Sequence, residues 1–274
     1  MKKILVFALT AVMVLSAFAL TGCGGKEAKS DESLKYVKDN GKIVVGLDDT
    51  FAPMGFRDKD NKLVGFDIDL AKAVGKELGV DVEFKPIDWD AKDLELKTKK
   101  IDCIWNGMSA TPERQEAMSL SKKYINNKIA LMSLKDLDIK TAEDLTKYKI
   151  GTQAGSSALG MIEKNEKSEA LLEKTSQYKT YDDAILDLKA GRVDVIAVDQ
   201  VLGEYKNKTM DGILKVCDYN LGDDFYAIGF RKGEVALTDA VNDAIKTLID
   251  NKEASKISKN WFGKDIVVFE GYDK

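Results

Sequence analysis

The sequence predicts an α/β protein built from two lobes of one design, and three observations predict it. Strand-like and helix-like segments alternate from Lys42 onward, one nine-residue stretch recurs in the second half, and polar or aromatic residues stand at the ends of the predicted strands.

The first observation is the alternation. Lys42 to Leu47 is a short β-rich run, and Val80 to Ile87 places Val80, Val82 and Phe84 on one face with Asp81, Glu83 and Lys85 on the other. Between them Phe66, Leu70, Val74 and Leu78 recur at helical spacing, with Asp67 in an N-cap position and Gly79 in a C-cap position. A second helix from about Lys92 to Thr98 leads into a strand from Ile101 to Trp105. Strand, helix, strand, helix, strand is the pattern of a parallel sheet.

The second observation is the echo. Leu96-Lys97-Thr98-Lys99-Lys100-Ile101-Asp102-Cys103-Ile104 is matched by Leu188-Lys189-Ala190-Gly191-Arg192-Val193-Asp194-Val195-Ile196 in charge and hydrophobicity. Each copy follows a Lys-Ile strand that opens its half, Lys42-Ile43 in one and Lys149-Ile150 in the other. Two lobes of the same construction account for both.

The third observation locates a site. In open α/β sheets ligands bind beyond the carboxyl ends of the strands. Those ends carry Asp48, Asp49 and Phe51, then Trp89, then Asn106 to Ser109 in the first half, and Gln153 to Ser157 and Asp199 in the second.

Bulk composition narrows the function. A chain of 274 residues, 44% of them hydrophobic, fills the cores of two modest domains. Its 46 acidic and 42 basic residues are interspersed and leave a net charge of -4, so there is no basic face for nucleic acid. Histidine is absent, which excludes a Ser-His-Asp hydrolase and an HExxH zinc enzyme; neither metal nor cofactor is expected.

The amino terminus sets the address. Lys2 and Lys3 precede an apolar run from Ile4 to Leu20 that ends in Leu20-Thr21-Gly22-Cys23, the layout of a secretory signal peptide over residues 1–22. The alternative, a membrane-spanning anchor with an incidental cysteine, needs about 20 apolar residues, and this run is short for it. Residues 23–33 hold little to bury and read as a flexible tether. Cys103 and Cys217 lie in apolar strand-like segments and read as buried free thiols, since a disulfide would have to join different lobes.

Five stretches then carry a family resemblance: Gly46-Leu47-Asp48-Asp49-Thr50-Phe51-Ala52-Pro53, Gly65-Phe66-Asp67-Ile68-Asp69-Leu70-Ala71, Gly107-Met108-Ser109-Ala110-Thr111-Pro112-Glu113-Arg114, Gly155-Ser156-Ser157 and Val198-Asp199. In this order, with Trp261-Phe262-Gly263 near the end, the chain resembles the family 3 extracellular solute-binding proteins of polar amino acid ABC importers. The Leu-Thr-Gly-Cys ending likewise resembles a bacterial lipobox, which implies a lipidated Cys23 holding the protein at the outer face of the cell membrane. The family resemblance implies a periplasmic-binding-protein-like (type II) α/β fold with hinge strands near Tyr124 to Lys128 and Asp223 to Tyr226. Residues 34–125 plus 226–274 would form lobe 1 and residues 126–225 lobe 2.

It also implies roles. Arg114 would hold the ligand carboxylate with two parallel hydrogen bonds, assisted by Ser109, the Gly107 backbone, Ser156 and Ser157, the last pair opening a helix from Ala158 to Lys164. Asp199 would accept the ammonium, Phe51 and Trp89 would wall the side chain, and Asp48 or Asp49 would read it, with Gln153, Trp105 and Asn106 nearby. Each residue has a plainer alternative: Arg114 paired with Glu113 or Glu116, Asp199 or a serine capping a helix, the aromatics in the core. The implied partners are a free polar amino acid (glutamine, cystine or a basic one) and ABC permease subunits, for a monomeric binder and not an enzyme. A dehydratase on the same scaffold and a surface lipoprotein that binds another protein stand as alternatives.

Overall fold

The computed structural model describes residues 31–272. The signal peptide, Cys23 and the tether as far as residue 30 lie outside the described residues. No helix among the described residues is long and apolar enough to cross a membrane.

Two sheets organise the chain as two lobes. In the first the strands run in the order Asp81–Pro86, Lys42–Leu47, Cys103–Ile104, Gly229–Arg231, Met118–Leu120. In the second the order is Thr175–Tyr178, Ile150–Gln153, Val195–Asp199, Lys123–Ser133, Lys215–Tyr226, with Val267–Glu270 also paired to Lys123–Ser133. Three neighbouring strands are parallel in each sheet and the fourth is antiparallel, so the two lobes repeat one topology. The chain crosses between them twice. The crossings lie side by side as antiparallel strands, pairing Lys128 with Asp223, Asn127 with Asp224, Asn126 with Phe225 and Ile125 with Tyr226. These are the stretches expected to be hinges.

The echo has a structural cause, though its register differs from the one expected. Val45 pairs with Cys103 and Ile150 with Val195, so Lys149 is equivalent to Val44 and not to Lys42. The two aspartates of the repeat then do the same work: Asp102 accepts from the Val44 amide and Asp194 from the Lys149 amide, each at 2.9 Å. Both side chains tie the start of a central strand to its neighbour. A slip of two residues keeps every side chain on its face, and hydrophobic alternation is blind to it.

Helices cover both faces of each sheet, because buried parallel strands need apolar cover on both sides. In lobe 1, Phe66, Leu70 and Val74 of helix Phe66–Leu78 and Leu237, Val241 and Ile245 of helix Val235–Asp250 pack against Val45, Cys103 and Phe230. Leu96, Ile101, Ile104, Met108 and Met118 close the other side. In lobe 2 the strand Val195–Asp199 alternates: Val195 and Ala197 join Ala158, Ile162 and Leu171, while Ile196 and Val198 join Ala184, Ile185 and Leu202.

Some boundaries differ from expectation. Helix Phe66–Leu78 is entered through Gly65, whose added Cβ would lie 2.1 Å from the Met54 carbonyl oxygen, so only glycine fits there. Asp67 is therefore not a cap; it lies buried in the first turn and accepts from the Gly107 amide at 2.7 Å and the Tyr124 hydroxyl at 3.0 Å. Gly79 ends the helix in the left-handed conformation, as its position suggested. Helix Ser33–Asp39 begins inside the predicted tether, because Asp31 and Ser33 accept from the Ala236 and Leu237 amides. Cys103 and Cys217 are free and buried.

Candidate functional site

The carboxyl ends of the central strands of both sheets face one cleft, and the cleft holds most of the residues singled out from the sequence. Asp48 follows Lys42–Leu47. Its Oδ1 accepts from the Thr50 amide at 2.9 Å and hydroxyl at 2.7 Å, and its Oδ2 accepts from Gln153 Nε2 of lobe 2 at 2.7 Å. Burial pushes the Asp48 carboxyl up, against the pull of the Thr50 and Gln153 donors. Asp49 separates from it: its carboxylate pairs with Arg57 Nε at 2.7 Å on the outside of the lobe.

Gly107 has φ +55, and a Cβ there would come within 2.9 Å of Phe51 Cε1 and 3.1 Å of Tyr226 Cε2. The glycine thus lets two rings approach the loop after the strand Cys103–Ile104. Phe51 also meets Tyr181, with ring centroids 6.0 Å apart. Asn106 Oδ1 accepts from the Asp48 amide at 3.0 Å, which stiffens the loop. Trp105 is enclosed in the lobe core and not in the cleft.

Ser109 Oγ lies 2.8 Å from both Ser157 Oγ of lobe 2 and Asp224 Oδ2 of the second crossing strand. Arg114 follows from a short helix, Pro112–Ala117, whose N-cap Thr111 accepts from the Arg114 amide. Its guanidinium turns inward, donating to the Ser109 carbonyl at 2.9 Å and to the Gly155 carbonyl of lobe 2 at 3.3 Å. The surface alternative is not realised, since Glu113 pairs with Lys164 of lobe 2 instead. No ion pair among the described residues uses Arg114. Its neighbours by charge are Asp224, Asp93 and Asp199, and burial pushes its pKa down against them.

In lobe 2 the helix is Ser157–Glu163, one residue earlier than expected. Ser156 caps it, accepting from the Leu159 amide at 3.2 Å, which leaves the Ser157 hydroxyl to Ser109. Asp199 ends the strand Val195–Asp199 and makes no side-chain cap to the helix that follows. Its carboxylate is 3% exposed and accepts from Asn127 Nδ2 at 2.8 Å and Tyr226 Oη at 2.9 Å. Burial first, then the charge of Asp224, pushes it up to about 7, against the pull of the Tyr226 hydroxyl and Arg114. Asn127 Nδ2 also donates to Asp224 Oδ2 at 2.8 Å, so one amide serves both acids. Lys92, Arg114, Gly155, Ser156, Ser157 and Asp224 line a cavity of about 900 Å³ between the lobes.

Five site residues were missed in the sequence, Lys92 among them. Asn127, Asp224 and Tyr226 stood in segments read only as hinges, and the partly exposed strands that carry them gave no signal to separate these polar groups from solvent-facing ones. Tyr181 follows a helix N-cap, Thr180, and carries no signal of its own; its hydroxyl lies 3.4 Å from Asp199 Oδ2.

A cation and an anion are therefore buried at one cleft between two lobes, neither in an ion pair among the described residues, with aromatic rings beside them. Comparison with known proteins agrees with such a receptor. The family model for bacterial extracellular solute-binding proteins, family 3, matches residues 43–264. The chain is 31% identical over 267 residues to the arginine-binding extracellular protein ArtP of Bacillus subtilis strain 168, covering 96% of this chain and 98% of that one. It is 31% identical over 262 residues to the L-cystine-binding protein TcyJ of Escherichia coli strain K12, with 93% and 96% covered. Among solved structures, an ABC uptake transporter substrate binding protein from Streptococcus pneumoniae with bound histidine superposes with a TM-score of 0.81 at 37% identity, covering 87% of this chain and 99% of that one. With its two-lobed fold and a family match over most of its length, the chain belongs to the bacterial extracellular solute-binding proteins of family 3, binding proteins rather than enzymes.

Proposed function

We propose that this protein is the extracytoplasmic, lipid-anchored receptor of an ABC importer and that it closes on a polar amino acid to deliver it to the permease. The observation that carries the reading is the pair Arg114 and Asp199. They come from different lobes, are turned into one cleft, and are both left without an ionic partner among the described residues. A zwitterion would supply both. Its carboxylate takes two parallel hydrogen bonds from the Arg114 fork, with Ser109, the Gly107 backbone, Ser156 and Ser157 around it. Its ammonium meets Asp199, and its side chain runs past Phe51 and Trp89 toward Asp48 and Gln153.

Hinge closure follows from where those contacts lie. A ligand that touches both lobes binds the closed form better, and only that difference moves the population. The reading divides the chain into lobes at residues 34–125 plus 226–274 and 126–225, and the pairing of the two crossing strands supports that division. Arginine, cystine and histidine, the ligands named for the relatives, are the first to test. Calorimetry against the twenty amino acids and cystine should give one-to-one binding without turnover, and Arg114→Ala should lose about 100-fold or more in affinity. No heat with any of them, or full affinity in that variant, overturns the reading. Replacing Cys23 should release the protein from the membrane.

A further inference from the structure

Lys92 opens the helix Lys92–Lys97, a place where sequence pattern puts a lysine in solvent. Here it is 4% exposed. Its ammonium donates to the Trp89 carbonyl at 3.2 Å and, across the cleft, to the Gly155 carbonyl at 3.1 Å, and it lies 5.2 Å from the centre of the Trp89 ring. The same Gly155 oxygen receives Arg114 Nη2 at 3.3 Å. Two cations thus converge on one main-chain oxygen. No carboxylate among the described residues pairs with either of them.

That arrangement is electrically incomplete. A carbonyl dipole balances only part of one buried charge, and two like charges side by side in a water-poor cleft repel strongly. Burial and then the Arg114 charge depress the Lys92 ammonium to about 8, with Asp93 and Asp90 opposing more weakly. If Lys92 served only to join the lobes, an uncharged donor to the Gly155 carbonyl would serve at a smaller desolvation cost. The positive charge needs an anion, and the cavity that Lys92 shares with Arg114, Ser156 and Ser157 is open to one.

We propose that Lys92 is a second cation for the ligand carboxylate, working beside Arg114, and that it selects ligands whose anionic end carries a full charge. The proposal rests on the reading of the cleft as an amino acid site. The groups facing Lys92 are Arg114, Asp90, Asp93, the Trp89 ring and carbonyl, and the Gly155 carbonyl. A carboxylate brought against it raises its pKa above the ligand-free value, so binding takes up a proton and affinity falls as pH rises. A lysine that merely bridges the lobes becomes more desolvated on closure and behaves in the opposite sense.

The test is calorimetry on wild type and Lys92→Met with whichever of the twenty amino acids or cystine binds wild type, L-arginine, L-cystine, L-glutamine and L-histidine first. At pH 7 the variant should bind about tenfold or more weakly, with an unchanged circular dichroism spectrum. The ratio of wild-type to variant affinity cancels the titrations the two proteins share. It should fall about tenfold from pH 7 to pH 9. A ratio that stays flat or rises overturns the role of Lys92 and leaves the amino acid reading standing. Wild type that binds none of the twenty amino acids or cystine at either pH overturns both.

Discussion

Gln153 donates its side-chain amide to the Asp48 carboxylate across the cleft at 2.7 Å, and the two residues occupy equivalent places in the two lobes. Val45 matches Ile150 in the sheet register, so three residues later Asp48 matches Gln153. The repeat therefore meets itself at the cleft. A buried carboxylate at one copy is answered by a neutral donor at the other, and Gln153 is held for that task by a second bond to the Lys179 carbonyl at 3.0 Å.

Removing that donor should act on closure more than on folding. Gln153→Ala leaves the Asp48 carboxylate short of a partner only when the lobes are shut, a loss of about 1 to 2 kcal/mol, or 5- to 30-fold in ligand affinity. The melting temperature of the ligand-free protein should move little, because water reaches Asp48 when the lobes part. Calorimetry and a thermal melt check the two halves, and unchanged affinity would make the contact incidental.

Asp67 gives a pH dependence with a definite sign. Burial pushes it up to about 7, against the Gly107 amide and Tyr124 hydroxyl, whereas an unfolded aspartate titrates near about 3.9. The folded chain holds this proton to higher pH than the unfolded one. Its contribution is full below about pH 4 and is lost as pH rises through about 7, a loss of about 2 kcal/mol or more. Asp48, Asp199 and Asp224 are raised too and act in the same direction. Asp67→Asn, which keeps an acceptor for both donors, should therefore flatten the fall in melting temperature from pH 5 to pH 8. An equal slope in both proteins would show that Asp67 is already ionised in the fold.

What the sequence could and could not disclose follows from the range of each interaction. Alternation and helical spacing are local, so the strand Lys42–Leu47 and the helix Phe66–Leu78 were legible to within a residue or so. The repeat was legible because Asp102 and Asp194 each answer a neighbouring strand, yet its two-residue register needed the sheet itself. Asp199 could be singled out because it ends a strand that points at the cleft, and Arg114 because the stretch from Gly107 to Arg114 resembles the family's. Lys92 and Asp224 could not: what distinguishes each is a neighbour from the opposite side of the cleft or from a distant strand. Asp67 looked like a helix cap for the same reason, since Gly107 and Tyr124 claim it only after folding.

The rim of the cleft should matter far less than its interior. Lys164 pairs with Glu113 and Lys179 with Asp88, both between lobes and both largely solvent-exposed. Exposed pairs are screened by salt and lose much of their attraction to side-chain entropy. Glu113→Gln should thus change ligand affinity by less than about threefold at 0.15 M salt, and a several-fold higher salt concentration should erase the difference. A tenfold effect that persists in high salt would move the energetic centre of closure from the buried cluster to the rim.

Asp199 should show binding and stability pulling in opposite directions. Its carboxylate is buried beside Asp224, and the two acids share one donor, Asn127. That arrangement disfavours two negative charges, which is why burial and Asp224 together push Asp199 up to about 7. Asp199→Asn removes the charge while keeping an oxygen for Tyr226. By the sign of the shift, Asp199 costs the wild type stability as pH rises through about 7, and the variant keeps only the loss that Asp67 and the other raised acids bring, so the variant should melt higher than wild type at pH 8 and close to it at pH 5. The same change takes away the only full negative charge proposed for the ligand ammonium, and affinity should fall about 100-fold or more. Thermal melts at the two pH values and calorimetry at pH 7 separate the effects. A variant that is less stable at pH 8 would mean that Arg114 already satisfies Asp199 without a ligand. One that binds normally would mean that Asp224 receives the ammonium instead.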